Sequence, residues 1–286
     1  LALTKLGGQL DADLRLAVVE GRQNLDLTAR GTKLAGPSLA IDRLDATAAA
    51  RDVYGRPQLD AALAIDRAVL AGEAISAIRF GSKGAPEASA FTLSAAARGF
   101  ALNGAGRLVP GQPLSLELAS FEARRDGRRI ALANPASLRF PAGGVEIGGF
   151  ALAIENGRLT LAGRAGETLD LDIAARNVPL SAARIIAPGL DLAGTLEAQA
   201  KIGGTAAAPT GPWSVRISRL VTPETRRAGL PPVEIAASGA LKGEVASVDA
   251  TVNAGRGATL TLRGTAPLNA AGVLDLVAQG RVDAAL

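Results

Sequence analysis

Alternation of apolar and polar residues is the dominant pattern along this chain. It is clearest at positions 114–118, 169–173, 190–192 and 196–202, and it recurs at 10–16, 25–30 and 248–253. Strict alternation is typical of a β-strand with one apolar and one polar face. Strands of a parallel α/β sheet would show continuous apolar runs, because both of their faces are covered. The pattern therefore predicts antiparallel strands with one solvated face.

Turn signals separate these strands and set their number. Asn103-Gly104, Asp126-Gly127 and Asn156-Gly157 suit tight hairpin turns, and Gly and Pro pairs punctuate the rest. Their spacing of roughly 8 to 14 residues predicts about 20 strands in one elongated fragment, residues 1–286, without a clear internal boundary.

Helix is predicted to be scarce. The best candidate covers 179–187, where Asn177 can cap the first turn and Pro188-Gly189 ends the last one. A second, weaker helix signal begins near Val282 and continues to the end of the sequence. We expect less than about 15% helix, against a usual third.

Composition decides between two ways of arranging so many strands. A closed sandwich or barrel needs bulky inward side chains, but the chain has 34 Gly, one Trp, one Tyr and six Phe. So few aromatics favour a thin apolar layer over a thick core. We therefore predict an all-β fold: a long repetitive antiparallel sheet folded lengthwise into an apolar groove, a β-taco, with one or two short helices.

The large aliphatic residues of the alternating segments are the candidate groove lining. They are Leu114, Leu116, Leu118, Leu152, Ile154, Leu159, Leu161, Leu169, Leu171, Ile173, Leu190, Leu192, Leu196, Ile202, Val215, Ile217, Val248, Val252, Leu260 and Leu262. Their polar neighbours, such as Asp170, Asp191 and Arg216, are expected to face water.

Candidate chemistry is sparse. The chain has no His and no Cys, which excludes zinc fingers, Fe–S clusters, Ser-His-Asp triads and thiolate nucleophiles. Asp170 and Asp172 share one face of a strand, and glycoside hydrolases use such a pair of carboxylates. Leu-Asp-Leu recurs along the chain without special surroundings, however, which indicates a solvated strand face. The lone Trp213 is interpreted as closing an apolar edge. We predict no catalytic, cofactor-binding or metal-binding residues and no enzymatic activity.

Charge and targeting signals add three expectations. The net charge is +4, but the basic residues are dispersed and lack interleaved aromatics, so nucleic acid is not an expected partner. The one dense basic segment, 124–129, would attract anionic phospholipid headgroups mildly. The longest uncharged stretch, 202–215, contains two prolines and is shorter than the roughly 20 residues of a membrane-spanning helix. Since the sequence lacks an initial Met and a signal-peptide pattern, we expect a fragment, and if the parent protein has a membrane anchor, it lies outside this fragment.

Three segments in succession resemble a known family. They are Asn177-Val178-Pro179-Leu180-Ser181, then Ala187-Pro188-Gly189-Leu190-Asp191-Leu192-Ala193-Gly194-Thr195-Leu196, then Ile202-Gly203-Gly204-Thr205-Ala206-Ala207-Ala208-Pro209. Their order resembles the TamB family, the inner-membrane subunit of the translocation and assembly module. Segments 121–136, 156–163 and 262–268 are similar to it as well. The resemblance covers most of 110–286. AsmA-like and YdbH-like proteins have a similar sequence pattern.

The resemblance implies a function that composition alone does not. Members are periplasmic groove proteins anchored in the inner membrane that partner an outer-membrane barrel of the TamA type, here through regions outside this fragment. Two roles are attached to the family: phospholipid transport between the inner and outer membranes, and assembly of outer-membrane proteins and autotransporters. Phospholipid acyl chains and nascent outer-membrane proteins are therefore the expected partners. The alternative is a secreted β-solenoid passenger or adhesin, although a solenoid should show a fixed period.

Overall fold

The alternating segments form a nearly all-β protein. The computed structural model describes residues 7–36, 39–53, 58–70, 73–85, 87–97, 99–187, 189–255, 257–269 and 272–282. Within these residues nineteen strands belong to one antiparallel sheet, and the helices are short. The predicted fold class is confirmed. The contacts group the chain into two compact units, Leu1–Phe140 and Pro141–Leu286, where the sequence had indicated no internal boundary.

The first unit is a meander of antiparallel strands. Its strands are β1 (Gly7–Val19), β2 (Arg22–Ala35), β3 (Leu39–Arg51), β4 (Gln58–Leu70), β5 (Glu73–Lys83), β6 (Ser89–Ala97), β7 (Phe100–Val109), β8 (Leu114–Arg125), β9 (Arg128–Leu132) and β10 (Ala136–Phe140). Strands β1 to β8 each pair with the next strand in sequence, while β9 and β10 pair with opposite ends of β8. Its buried cluster centres on Ile41, Ile65 and Ala68.

The second unit is also a meander of antiparallel strands. Its strands are β11 (Gly144–Ile154), β12 (Gly157–Gly166), β13 (Leu169–Pro179), β14 (Ala193–Gly204), β15 (Pro209–Val221), β16 (Val233–Lys242), β17 (Val245–Ala254), β18 (Ala258–Pro267) and β19 (Asp275–Val282). Each strand pairs with the next one in sequence. Such local pairing follows from short connections between alternating segments.

The predicted helix near residue 180 is confirmed, but its cap is not. A 3-10 turn at Leu180–Ala182 leads into α1 (Ala183–Ile186) between β13 and β14. Asn177 does not cap it: this residue lies in β13 with a φ of 51°, at a register shift opposite β14. The insert carries Ile185, whose side chain is the largest fully buried one among the described residues. Val282 ends β19, and 283–286, where the second helix was expected to continue, lie outside the described residues.

A second short helix was missed by the sequence analysis. Helix α2 (Pro223–Arg227) connects β15 to β16. The Thr222 hydroxyl accepts a hydrogen bond from the Thr225 N–H, and the Thr225 hydroxyl accepts one from the Thr222 N–H, which completes a capping box. A Pro in the first turn, an acid beside it and arginines in the last turn are the signals that could have predicted it.

Two of the three predicted hairpin turns need correction. Asp126-Gly127 does connect β8 to β9, with φ angles of 50° and 75°. Asn103-Gly104 instead lies inside β7, because strands on both sides pair continuously through it. The turn near Asn156-Gly157 is shifted by one residue, since Glu155 takes the positive φ and Gly157 already belongs to β12.

Candidate functional site: an apolar sheet face

The register of the second unit aligns apolar side chains into rows that cross the sheet. One row, here called the central row, runs through all nine strands of this unit. It consists of Leu152, Leu159, Ala175, Ala198, Val215, Ala237, Ala250, Leu262 and Ala278. Because directly paired residues point to the same face, these side chains form a continuous apolar stripe on one face.

Two further rows flank the central row on the same face. The first consists of Phe150, Leu161, Ile173, Ala200, Trp213 and Gly239. The second consists of Val178, Leu196, Ile217, Ile235, Val252, Leu260 and Gly280. Every member of the three rows is apolar or glycine, so this side of the sheet is an apolar surface several side chains wide.

The opposite face of the same strands is polar. One of its rows joins Gln199, Ser214, Ser238, Asp249 and Arg263. The Arg263 Nε donates to Asp249 Oδ2 at 3.1 Å, and both side chains are largely exposed. Salt bridges of this kind contribute about 1 kcal/mol or less. The polar face is therefore a solvated surface, as the alternation predicted, and not an arrangement of converging charges.

Exposure differs between the two faces on the middle strands of the second unit. On β14 and β15 the apolar positions are half-buried while their polar neighbours are exposed. Complete burial is rare: among the described residues, only Ile185 and Ser89 are less than 2% exposed. The buried aliphatic positions of the rows are small, Ala175 and Ala250. Most other side chains of the apolar face are only half-buried, which leaves room against it for an apolar partner.

The indole Nε1 of Trp213 is the one polar side-chain atom in the three rows. Its indole lies beside Gly239, where an added Cβ would stand 3.0 Å from Nε1. Nε1 is buried and has no hydrogen-bond partner among the described residues. An unpaired buried N–H is unfavourable, so packing, including that against Gly239, holds the ring in place. Trp213 was expected to close an apolar edge, but it lies between two paired strands.

Most predicted groove residues lie on the apolar face of their strand. In the second unit, ten of them belong to the three rows: Leu152, Leu159, Leu161, Ile173, Leu196, Val215, Ile217, Val252, Leu260 and Leu262. Ile154, Leu169, Leu171, Ile202 and Val248 continue the same face by alternation, with Leu171 paired to Ile202. In the first unit, Leu116 pairs with Leu108 and Leu138, beside Leu114 and Leu118 of the same strand.

Leu190 and Leu192 do not belong to these rows. The predicted strand at 190–192 is wrong, because this segment lies between α1 and β14 and is not paired. Leu190 is 45% exposed. Asp191, expected to face water on that strand, instead accepts an ion pair from Arg184 of α1 and another, at 3.3 Å, from Arg226 of α2. The alternation here does not mark a strand, and Asp191 instead bridges two helical inserts.

Several row members were missed because they are small or isolated. The alanines of the central row, together with Phe150, Val178, Trp213 and Ile235, belong to the apolar face but were not predicted to line it. Alanine is common at both faces of this sheet, so the presence of an alanine does not indicate which face its side chain lies on. Only the pairing register with neighbouring large residues distinguishes the two faces.

The concave sites of the structure lie on the polar face. One in the second unit, of about 390 Å³, is lined by Glu197, Gln199, Arg216, Ser238, Asp249 and Thr251 among others. A larger one in the first unit, of about 720 Å³, spans β2 to β8 and includes Arg30, Asp45, Arg79 and Asn103. Both are shallow and their arginines are distributed among nearby carboxylates, as in the 3.2 Å pair of Arg79 with Asp66. Within the described residues no three potential metal ligands converge.

The first unit has an apolar face of its own. Leu34, Leu44, Leu63 and Ile78 pack around its buried cluster. Further along, the rings of Phe80 and Phe91 stack with centroids 6.2 Å apart. Aromatic contacts of this geometry contribute beyond their area. This face is closed only in part, since Leu10, Leu14 and Leu16 of β1 remain 57–73% exposed.

Comparison with known proteins identifies no relative of this chain. The chain matches no protein-family description, no characterised protein and no solved structure. None of the helices in the described ranges has the length and apolar character needed to cross a membrane.

Proposed function

We propose that the apolar face of the second unit binds the acyl chains of phospholipids. The observation that carries this proposal is the central row, an unbroken series of apolar side chains across nine strands. Neighbouring strands lie about 4.8 Å apart, so the row extends roughly 38 Å along the sheet. One leaflet of a bilayer holds acyl chains in about 15 Å of hydrocarbon. The face is therefore long enough to hold an acyl chain lying along it.

The energetics favour such binding over specific polar recognition. Each methylene moved from water onto an apolar surface contributes about 0.8 kcal/mol. The rows offer no charged group that would hold an acyl chain at one place. An acyl chain could therefore move along the rows, from the side chains of one strand to those of the next, at little cost in free energy. A conduit needs this combination of affinity and uniformity.

The wider role follows the resemblance of residues 177–209 to the TamB family. In this proposal the chain is part of a periplasmic protein anchored in the inner membrane, and it moves phospholipid between the inner and outer membranes. An outer-membrane barrel of the TamA type would be its partner through other regions, and nascent outer-membrane proteins would be a second cargo. Antiparallel pairing of successive strands supports this over the solenoid alternative, since β-helical solenoids stack parallel coils.

The single tryptophan allows a direct test of acyl-chain binding. Trp213 lies within the apolar face, on a strand paired on both sides and not at an edge, and Ser214 is its neighbour on the polar face. Phospholipids with brominated acyl chains should quench the fluorescence of Trp213 in the wild-type chain. In the matched variant Trp213→Phe/Ser214→Trp, the tryptophan is moved to the other face and quenching should be much weaker. Equal quenching of both proteins, or of neither, would count against the proposal.

A further inference from the structure

Two pairs of arginines face each other across the hairpin that joins β8 to β9. The register places Arg124 opposite Arg129 and Arg125 opposite Arg128. Like charges directly opposite each other on antiparallel strands are destabilising. The tight turn thus concentrates positive charge that an anion would neutralise.

One carboxylate holds the first of these pairs in place. The Glu122 carboxylate accepts an ion pair from Arg124 Nε at 2.5 Å and another from Arg129 Nε. Hydrogen bonding from Arg124, and then from Arg129, lowers the pKa of Glu122 below its ordinary value. The two guanidinium groups are therefore fixed side by side by their Nε atoms, while their side chains remain 63% and 61% exposed.

The second pair is anchored from the other side. The guanidinium of Arg125 lies 5.2 Å from the ring centroid of Phe100, and this side chain is only 17% exposed. The turn between β6 and β7 lies against it, since a Cβ added to Gly99 would be 3.5 Å from Arg125 Nε. The cation–π contact orients this arginine, and its Nε also lies 3.6 Å from Asp126 Oδ2.

These groups enclose a small concave site. It measures about 310 Å³ and is lined by Arg124, Arg125 and Arg129 with Asp126, Ala101 and two glycines. The four arginines of the hairpin outnumber the carboxylates of Glu122 and Asp126 by two. A volume of this size is at the lower limit for small-ligand sites.

We propose that this hairpin binds a phosphate group. Guanidinium groups present parallel N–H donors that match phosphate oxygens in a bidentate manner. The Nε donors of Arg124 and Arg129, together with Arg124 Nη2 at 3.2 Å, already hold the carboxylate of Glu122, so an incoming anion meets the remaining terminal nitrogens of these two exposed side chains. Inorganic phosphate and phosphate monoesters have at least three acceptor oxygens for such a set, whereas a phosphodiester headgroup and a carboxylate have two. The site is separate from the apolar rows, and the proposal does not depend on acyl-chain binding there.

The test compares two double variants in the complete 286-residue chain. Arg124→Gln/Arg129→Gln removes the braced pair, and Arg43→Gln/Arg107→Gln removes two arginines of the same unit with nearly the same exposure, 64% and 62%. Inorganic phosphate is titrated at low ionic strength by calorimetry, with acetate as the comparison anion. Co-sedimentation with phosphatidylglycerol vesicles and with phosphatidylcholine vesicles then separates a lipid headgroup from a free phosphate as the source.

The expected result is phosphate binding that weakens at least tenfold in the Arg124/Arg129 variant and changes little in the Arg43/Arg107 variant. Hydrogen bonds to charged groups of about 1.5–3 kcal/mol correspond to such a factor. Phosphate binding without vesicle binding would identify a soluble phosphate ester, and vesicle binding lost only in the Arg124/Arg129 variant would identify a headgroup. Equal loss in both variants, equal affinity for acetate, or no binding of phosphate or vesicles would overturn the proposal.

Discussion

The indole of Trp213 on β15 lies against the backbone of Gly239 on β16, its direct partner in the sheet. A Cβ on Gly239 would stand 1.8 Å from the Ser247 carbonyl oxygen and 3.0 Å from the indole Nε1. Only glycine fits between the ring and the next strand. The single tryptophan of the chain is therefore seated on the apolar face by the absence of one methyl group.

Substitution of this glycine should disturb the apolar face. Gly239→Ala is expected to destabilise the fold by about 2 kcal/mol, as overpacking commonly does, and to shift the emission of Trp213. Urea unfolding followed by fluorescence measures both effects. Gly203→Ala is the matched control, because a Cβ there would have its nearest atom, Thr210 Oγ1, at 3.5 Å. Equal stability of the two variants would contradict the close packing described here.

A charge in the central row should impair acyl-chain binding, while the same charge on the polar face should not. Val215→Asp places a carboxylate among apolar side chains, where an acyl chain would have to strip it of water. Ser214→Asp adds an identical charge one residue away on the exposed face. Brominated phospholipid should quench Trp213 less in the first variant and normally in the second. If Val215→Asp keeps a cooperative transition and full quenching, the rows are not the binding surface.

The Asp191 bridge should tie the two helical inserts together. Asp191→Asn removes the charge that Arg184 and Arg226 share. Because these side chains are 39–56% exposed, the expected loss of stability is about 1 kcal/mol. Hydrogen exchange in α1 and α2 should accelerate, and added salt should reduce the difference from the wild-type protein. Asp170→Asn, on the polar face of β13, should leave exchange in these helices unchanged.

Glu122 should make stability depend on acid pH. Its folded-state pKa is lowered, chiefly by the hydrogen bond from Arg124, so its contribution is present above the unfolded pKa near 4.5 and lost as pH falls through the lower folded value. Glu122→Gln should therefore be less stable than the wild-type protein at pH 7 and nearly equal to it in strong acid. Glu20→Gln, in the turn between β1 and β2, is the control. A constant gap at all pH values would contradict the charge-assisted contact.

The sequence predicted the fold class and the apolar side of most strands because both depend on a local rule. In β14, alternation from Leu196 to Ile202 alone determines which side chains share a face. Interruptions of the rule were not predictable in the same way. Asn177 and Arg219 take positive φ angles at register shifts within their strands, and non-glycine residues give little warning of such bulges.

The site was predictable only as a collection of large side chains. Its continuity depends on alanines such as Ala198 and Ala237, which lie in the central row because Val215 between them does. The pairing register depends on two strands together and cannot be predicted from the sequence of either strand alone. The strand predicted around Asp191 is wrong because three residues alternate there by chance. The partners that determine the structure of this segment, Arg184 and Arg226, lie on other elements.

Strand pairing with immediate sequence neighbours, as seen from β11 to β19, has a consequence for how such a chain can change length. A duplicated or deleted hairpin inserts or removes two adjacent strands without rethreading any other connection. Each event alters the apolar stripe by two strand spacings, about 9–10 Å, and preserves the side on which every later residue points. Duplication or loss of a hairpin therefore changes the length of this surface only in discrete increments.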